Sequence, residues 1–265
     1  MMSRLEELTR AKGWLDSFRP LSADVADELR HRFEVRLTYH STAIEGNTLT
    51  QSETQIVLEK GVTIGGKSVQ EHLEVIGHKE ALDFVLSLAD DQNPISERMV
   101  REIHSLVMQG QGNGGTGAFR TLDVMAAGTE FRYPNHLHVP NLMAEYIEWL
   151  GTAIDMHPIL RASEAHLRFV TIHPFKDGNG RVGRLLVNLV LLSAGYPIAV
   201  IPVERRAEYI ESLVAAQGVG SRSSLDELVI DAVESSLREM LEVCTGATSP
   251  AQNQEDVRQW LAGES

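Results

Sequence analysis

The chain has 265 residues, 43% hydrophobic and 23% charged, which is the balance of a globular protein able to bury its own core without disulfides or structural metal. Its 37 acidic residues outnumber 24 basic ones, and the net charge of −13 excludes non-specific binding to nucleic acid or anionic membrane, which depends on Lys and Arg. The single cysteine, Cys244, excludes an internal disulfide and a cysteine-rich zinc site.

The amino-terminal stretch has no apolar run of signal-peptide length, and its acidic pair Glu6–Glu7 argues against an organellar transit peptide. The longest apolar run, Leu185–Ala194, is interrupted by Asn188 and Ser193 and is too short to span a bilayer. A cytoplasmic protein in a reducing compartment is expected.

Apolar positions at mixed three- and four-residue spacing predict helices over 4–18 and 22–45. At the end of the second, Ser41 and Glu45 share one face and Gly46 stops the helix. A solvated glutamate is the plain reading of Glu45. A carboxylate at a helix carboxyl end nevertheless opposes the dipole and wants a cationic partner.

Thr50 and Glu53 stand at capping-box spacing before a short helix ending near Gly61. Gly61–Ser68 matches the P-loop expression, but a P-loop needs a buried strand before it, and ETQIVLEK is charged and helix-like. Ser68 and Glu71 explain the end of that segment as a cap for the next helix, which carries Leu73, Ile76, Leu82, Phe84, Val85 and Leu88.

A helix over 96–109 follows, and then a Gly-rich region, 110–139, unlike the rest. Phe119, Val124, Phe131 and Tyr133 between turn residues predict a small β-hairpin or extended flap at about 118–133. Further helices are expected at 141–154, 160–172, 180–194, 204–217 and 223–243. A linker composition from Thr245 precedes a short helix over 254–262. The fold class is all-α with one small hairpin, divided into an amino-terminal helical region (1–95), a core (96–217) and a carboxyl-terminal helix and tail (218–265).

The segment that carries chemistry is His173–Arg184, HPFKDGNGRVGR. Pro174 ends the preceding helix near His173, and Gly178, Asn179 and Gly180 form a tight turn. The helix that starts there is apolar nearly all round after its first turn, so it is expected to be central and buried. Arg181 and Arg184 crowd its amino terminus, where the potential is already positive, at a cost of up to about 1 kcal/mol each unless an anion answers them. Turn amides, a helix amino terminus and two guanidinium forks describe a polyphosphate cradle. Asp177 at its edge would repel phosphate unless Mg²⁺ bridged the two. His173 at the mouth is the side chain suited to accept a proton. A structural Arg–Asp network is the competing reading, and twelve residues of converging roles weigh against it.

His173-x-Phe175-x-Asp177-Gly178-Asn179-Gly180-Arg181-x-x-Arg184 resembles the complete signature of Fic (AMP-transferase) proteins. The resemblance runs from about Arg36 to about Gln217 and includes IGHKEAL, GAFR and the AGYP turn. It implies a Fic-fold bundle around the central helix. It also implies a protein adenylyltransferase that moves AMP from ATP to a hydroxyl of a target protein and of itself. His173 would be the base, Phe175 the loop anchor, Asp177 the Mg²⁺ ligand, Gly178–Gly180 the anion hole, and Arg181 and Arg184 the ligands of the outer phosphates. The region 118–133 would dock the target by strand addition. Tyr209 and Gln217 would face the base, with Gln217 standing where the family commonly has asparagine.

Ser41–Asn47 resembles the family's amino-terminal inhibitory motif, (Ser/Thr)-x-x-x-Glu-(Gly/Asn), on a helix of about 36–46. It implies that Glu45 pairs with Arg184 and withholds it from the γ-phosphate. Glu45 could equally serve removal of AMP. A mainly de-AMPylating enzyme and a catalytically quiet Fic-fold regulatory module therefore stay open, as does a homodimer. A DNA-binding role is disfavoured, because 218–265 holds only Arg222, Arg238 and Arg258 as basic residues. His72 with His78, and His136 with His138, lack the spacing of a zinc site, and His104, His157 and His166 read as packed or surface residues.

Overall fold

The structure is a computed structural model that describes residues 2–91, 93–112, 116–125, 131–218, 220–247 and 254–263. Among these the helices are α1 (Met2–Ser17), α2 (Ala23–Ile44), α3 (Gln51–Lys60), α4 (Val69–Asp91), α5 (Glu97–Val107), α6 (Val139–Thr152), α7 (Pro158–Ile172), α8 (Asn179–Ser193), α9 (Arg206–Gly218), α10 (Ser223–Ala247) and α11 (Gln254–Ala262). The all-α expectation holds. None of these helices is long and apolar enough to cross a membrane.

The central helix is α8. Asn179 and all residues from Arg181 to Leu191 are buried, and α7, α4, α5 and α2 pack around it. Gly183 permits the close approach of α7. A Cβ there would meet His166 Nδ1 on α7 at 2.7 Å, closer than a side chain allows. One hydrophobic core runs from Leu5 to Trp260, and a small second cluster (Leu49, Val57, Val75) lies under the α3–α4 connection.

The helix signals act as expected. Thr50 and Glu53 form a complete capping box on α3, with Glu53 N donating to Thr50 Oγ1 at 3.2 Å and Thr50 N to Glu53 Oε2 at 2.8 Å. α10 extends to Ala247, beyond the expected end at 243. Its last turn still buries Cys244, and the Thr245 hydroxyl donates back to Leu241 O at 2.8 Å.

The P-loop resemblance is accidental in three dimensions. The 61–68 segment joins two helices, and Lys67 Nζ is spent on the Thr48 carbonyl (2.5 Å) and hydroxyl (3.0 Å).

The expected β-hairpin at 118–133 is not shown. The described residues there make one isolated antiparallel bridge, Met125 with Arg132, and residues 126–130 lie outside the described residues. A side chain, not a ladder, holds the base of this segment. The buried Arg120 guanidinium donates to the carbonyls of His173 (2.9 Å), Leu122 (3.1 Å) and Pro134, and Arg120 N donates to Pro174 O at 2.9 Å.

Candidate active site

α7 ends on His173, whose backbone is left-handed (φ 51°), the only such non-glycine among the described residues. Strained backbone of this kind costs of order 1 kcal/mol or more and persists where its surroundings enforce it. Here the enforcement is visible. His173 N donates to Phe169 O at 3.0 Å, its carbonyl accepts from Arg120, and Phe175 anchors the loop with a fully buried ring stacked 3.7 Å from that of His104. Asn179 closes the turn on itself: Oδ1 accepts from Phe175 N (3.0 Å) and Nδ2 donates to Phe175 O (2.8 Å). Its side chain is therefore a latch, and only its backbone is left to line an anion hole.

Gly178 begins α8 in the left-handed region (φ 77°) with no side-chain cap, so the first turn of a buried helix is left open toward the loop. Arg181 in that turn and Arg184 in the next are both buried. Arg184 Nε donates to Ser41 Oγ (3.0 Å), and Nη2 donates to Ser41 O (2.6 Å) and to Glu45 Oε1 (2.8 Å). Burial opposes its charge, and Glu45 with Tyr209 more than restores it, so its pKa stays raised. Arg181 is less well satisfied: it reaches Gln111 Oε1 at 3.3 Å and Asp177 Oδ1 only at 3.9 Å, and its buried Nε has no partner.

Glu45 reaches in from the carboxyl end of α2 and presses against the amino terminus of α8. A Cβ on Gly180 would lie 2.2 Å from Glu45 Oε1 and 3.1 Å from Arg184 Nη1. The carboxylate thus occupies the anion position of the cradle. The cation that sequence reasoning demanded for Glu45 is Arg184, with Arg206 Nε donating to Ile44 O (2.6 Å) beside it.

The His173 imidazole places Nδ1 3.3 Å from Val170 O and stacks on Tyr133 with centroids 4.0 Å apart. Burial and the nearby Arg120 charge push its pKa down to about 4, against the Val170 carbonyl, Glu45 and Asp177, so it is neutral at pH 7 and able to accept a proton. His104, read from sequence as packed or surface, is packed and connects the site: Nε2 donates to Asp177 O (3.1 Å) while Nδ1 accepts from Gly117 N (2.8 Å).

Asp177 stands 58% exposed, one oxygen accepting from Gly178 N at 2.6 Å. Beside it lies a cleft of ≈ 490 Å³, lined by His104, Met108, Lys176 and the 118–124 segment. One exposed carboxylate next to a phosphate cradle fits Mg²⁺, which takes most of its ligands from phosphate and water. Among the described residues no group of three His, Cys, Asp or Glu forms a self-sufficient metal cage.

The two residues expected at the base part ways. Tyr209 is buried, with its hydroxyl 2.7 Å from His166 Nε2 and accepting from Arg184 Nη1 at 3.4 Å. Gln217 instead donates to Thr171 Oγ1 at 3.3 Å, beside a ≈ 320 Å³ pocket between α6, α7 and α9. The open face of α9 presents Ile210 (40% exposed) and Val214 (41%), two turns and one turn before Gln217. Exposed aliphatics at that spacing are a signal the sequence reading passed over.

Comparison with known proteins identifies the family. The Fic/DOC family profile matches residues 94–191. Protein adenylyltransferase fic-1 of Caenorhabditis briggsae is 41% identical over 182 residues, covering 67% of this chain and 36% of the relative. Protein adenylyltransferase Fic of Culex quinquefasciatus is 34% identical over 216 residues, covering 80% of this chain and 43% of the relative. The chain thus spans well under half the length of these curated relatives. The solved structure of Fic-1 (aa134–508) from C. elegans superposes with a TM-score of 0.84 at 31% identity, over 93% of this chain and 73% of that one. On sequence, fold and signature together, this chain belongs to the Fic/DOC family.

Proposed function

We propose that the chain is a protein adenylyltransferase: a target hydroxyl attacks the α-phosphorus of ATP, a new phosphodiester forms, the Pα–O–Pβ bond breaks and pyrophosphate leaves. His173 takes the hydroxyl proton. The observation that carries this reading is the pair of buried guanidiniums at the open first turn of α8, one with an orphaned Nε and the other answered by a single carboxylate from α2. A buried unsatisfied N–H costs about 1–3 kcal/mol, and a polyphosphate would satisfy it.

In this reading the amides of Gly178, Asn179 and Gly180 hold phosphate oxygens, Arg181 and Arg184 hold the outer phosphates, and Asp177 would hold Mg²⁺. The metal, when bound, supplies charge neutralisation between that carboxylate and the phosphates. Glu45 acts as a brake by holding Arg184. The target protein docks along 118–133, where Leu122 and Met125 stand exposed next to the cleft. The base rests on the Ile210–Val214–Gln217 face of α9, while Tyr209 orients Arg184 from behind.

The test is incubation of Glu45→Gly protein with ATP and a cell lysate, followed by mass spectrometry for added adenylate. Label that survives His173→Ala in this background rules the mechanism out. A second reading has support in the 42% exposure of the Glu45 side chain, which allows the carboxylate to orient a water for removal of AMP. Release of AMP from a pre-modified target by the parent chain, lost in Glu45→Gly, distinguishes it.

A further inference from the structure

Tyr133 lies outside the signature, yet among the described residues its ring alone is stacked on His173, with planes 21° apart and centroids at 4.0 Å. We propose that Tyr133 is a positioning residue for His173, holding the imidazole in the one orientation that ties Nδ1 to the Val170 carbonyl and leaves Nε2 to take a proton. The inference rests on the reading of His173 as the base.

The hydrogen bond alone is a weak restraint, because 3.3 Å is beyond the usual N–H···O range. A flipped imidazole would put the wrong nitrogen toward the target. The stacked phenol supplies the missing restraint, and it is itself held. Phe131 packs edge-on to it at 5.5 Å, and Pro134 next in the chain gives its carbonyl to Arg120. The same guanidinium donates to the carbonyl of His173, so one buried cation fixes the backbone on both sides of the stack.

The geometry also separates this role from that of an acceptor. A base takes a proton along a lone pair in the ring plane, whereas a stacked phenol sits above that plane. Tyr133 is therefore the imidazole's support in this arrangement, not its substrate. Three charged groups also face His173: Arg120 from the 116–125 segment, Glu45 from the end of α2 and Asp177 from the loop. In the Glu45→Gly background Glu45 is absent from every variant alike and Arg120 and Asp177 are unchanged, so a titration difference between those variants reports the cover and stacking that the ring gives the imidazole.

The experiment compares Tyr133→Phe, Tyr133→Leu and Tyr133→Ala, each in Glu45→Gly protein, by single-turnover rate, KM for ATP and NMR titration of His173. Leu fills the volume without an aromatic face, and thermal melts check that each variant is folded. The expected result is a chemical step slowed by about tenfold or more in Leu and Ala. KM for ATP stays within about twofold, and the His173 midpoint rises from its depressed value toward that of an ordinary histidine. Phe, which keeps the ring, restores both rate and midpoint. Leu and Ala variants matching the Glu45→Gly parent in rate and midpoint would overturn the proposal, and so would a Phe variant as impaired as Ala. If His173→Ala leaves the rate intact, the base reading fails on its own, while the titration still decides whether the stack sets the imidazole.

Discussion

Glu45 Oε1 lies 2.8 Å from Arg184 Nη2 and directly against Gly180, so one carboxylate neutralises a buried arginine and fills the space at the start of α8. The pair is lopsided. Arg184 is 3% exposed and Glu45 42%, so the cation is committed and the anion can leave. Water screens the outer partner, and a coupling of about 1.4 kcal/mol, tenfold in affinity, is the appropriate scale. Glu45→Gly is expected to raise ATP affinity and self-adenylylation by about that factor, and adding His173→Ala abolishes the labelling. Glu45→Gln keeps the shape without the charge and falls between. Calorimetric titration with ATP checks the first step, and equal affinity in Glu45→Gly and parent would remove the brake.

The helices were legible because their signals are local: the Thr50–Glu53 box, Pro174 after His173 and the apolar run of α8 each sit within a few residues of what they control. The crowding of Arg181 and Arg184 at the start of α8 was legible because the parts lie within twelve residues. The dipole argument showed that Glu45 needs a cation, but nothing local could select Arg184, 139 positions away. Arg120, His104 and Tyr133 were missed for a related reason. Their roles depend on where the carbonyls of His173, Pro134 and Asp177 and the His173 ring come to rest, and no periodicity encodes that. Tyr209, which the resemblance places toward the base, is buried with its hydroxyl against His166 Nε2, a contact that no local pattern encodes.

Asn179 should behave as a structural latch and not as a nucleotide contact. Its amide makes both buried hydrogen bonds to Phe175, and Asn179→Ala leaves N–H and C=O of that residue unpaired. The cost is about 2–6 kcal/mol, the sum of two such losses. Asn179→Asp is expected to be worse, because it replaces the donor with a carboxylate facing the Phe175 carbonyl. Denaturant midpoints measure the loss. A variant as stable as the parent but unable to bind ATP would show that the side chain contacts nucleotide instead.

The separation of Tyr209 from Gln217 predicts different phenotypes. Tyr209→Phe removes an acceptor for Arg184 and a partner for His166, so it should lower stability by about 1–2 kcal/mol and weaken binding of all nucleoside triphosphates alike. Gln217→Ala should leave stability within about 0.5 kcal/mol of the parent and alter the preference between ATP and GTP. Competition binding of the two nucleotides to each variant in Glu45→Gly protein reads this out. Altered preference in Tyr209→Phe with none in Gln217→Ala would reverse the assignment.

The buried histidines make stability depend on pH in a window free of carboxylate titration. His78 and His166 are pushed down to about 3, first by burial and then by Arg184, with Arg181 adding for His78; His104 and His173 reach about 4, again mainly through burial. Unfolded, each binds a proton near 6.5, so the unfolded state holds more protons and stability rises with pH. It is complete above about 6.5 and falls as the pH drops toward 3–4, by about 1.4 kcal/mol per pH unit for each group fully engaged. The stabilisation from Glu71, held down to about 2 by the hydroxyl of Thr48 and the amides of Ser68 and Thr48, is present above about 4.5 and begins to be lost only below that pH. Urea midpoints between pH 6.5 and 5 therefore isolate the histidines. They should fall steadily there, and His78→Asn, which removes one titrating group, should reduce the decline by about 2 kcal/mol across that interval. A midpoint that stays flat from pH 7.5 to 5 would mean that these imidazoles meet water in the folded protein, and α8 would then not be the dry centre on which the arginine cradle depends.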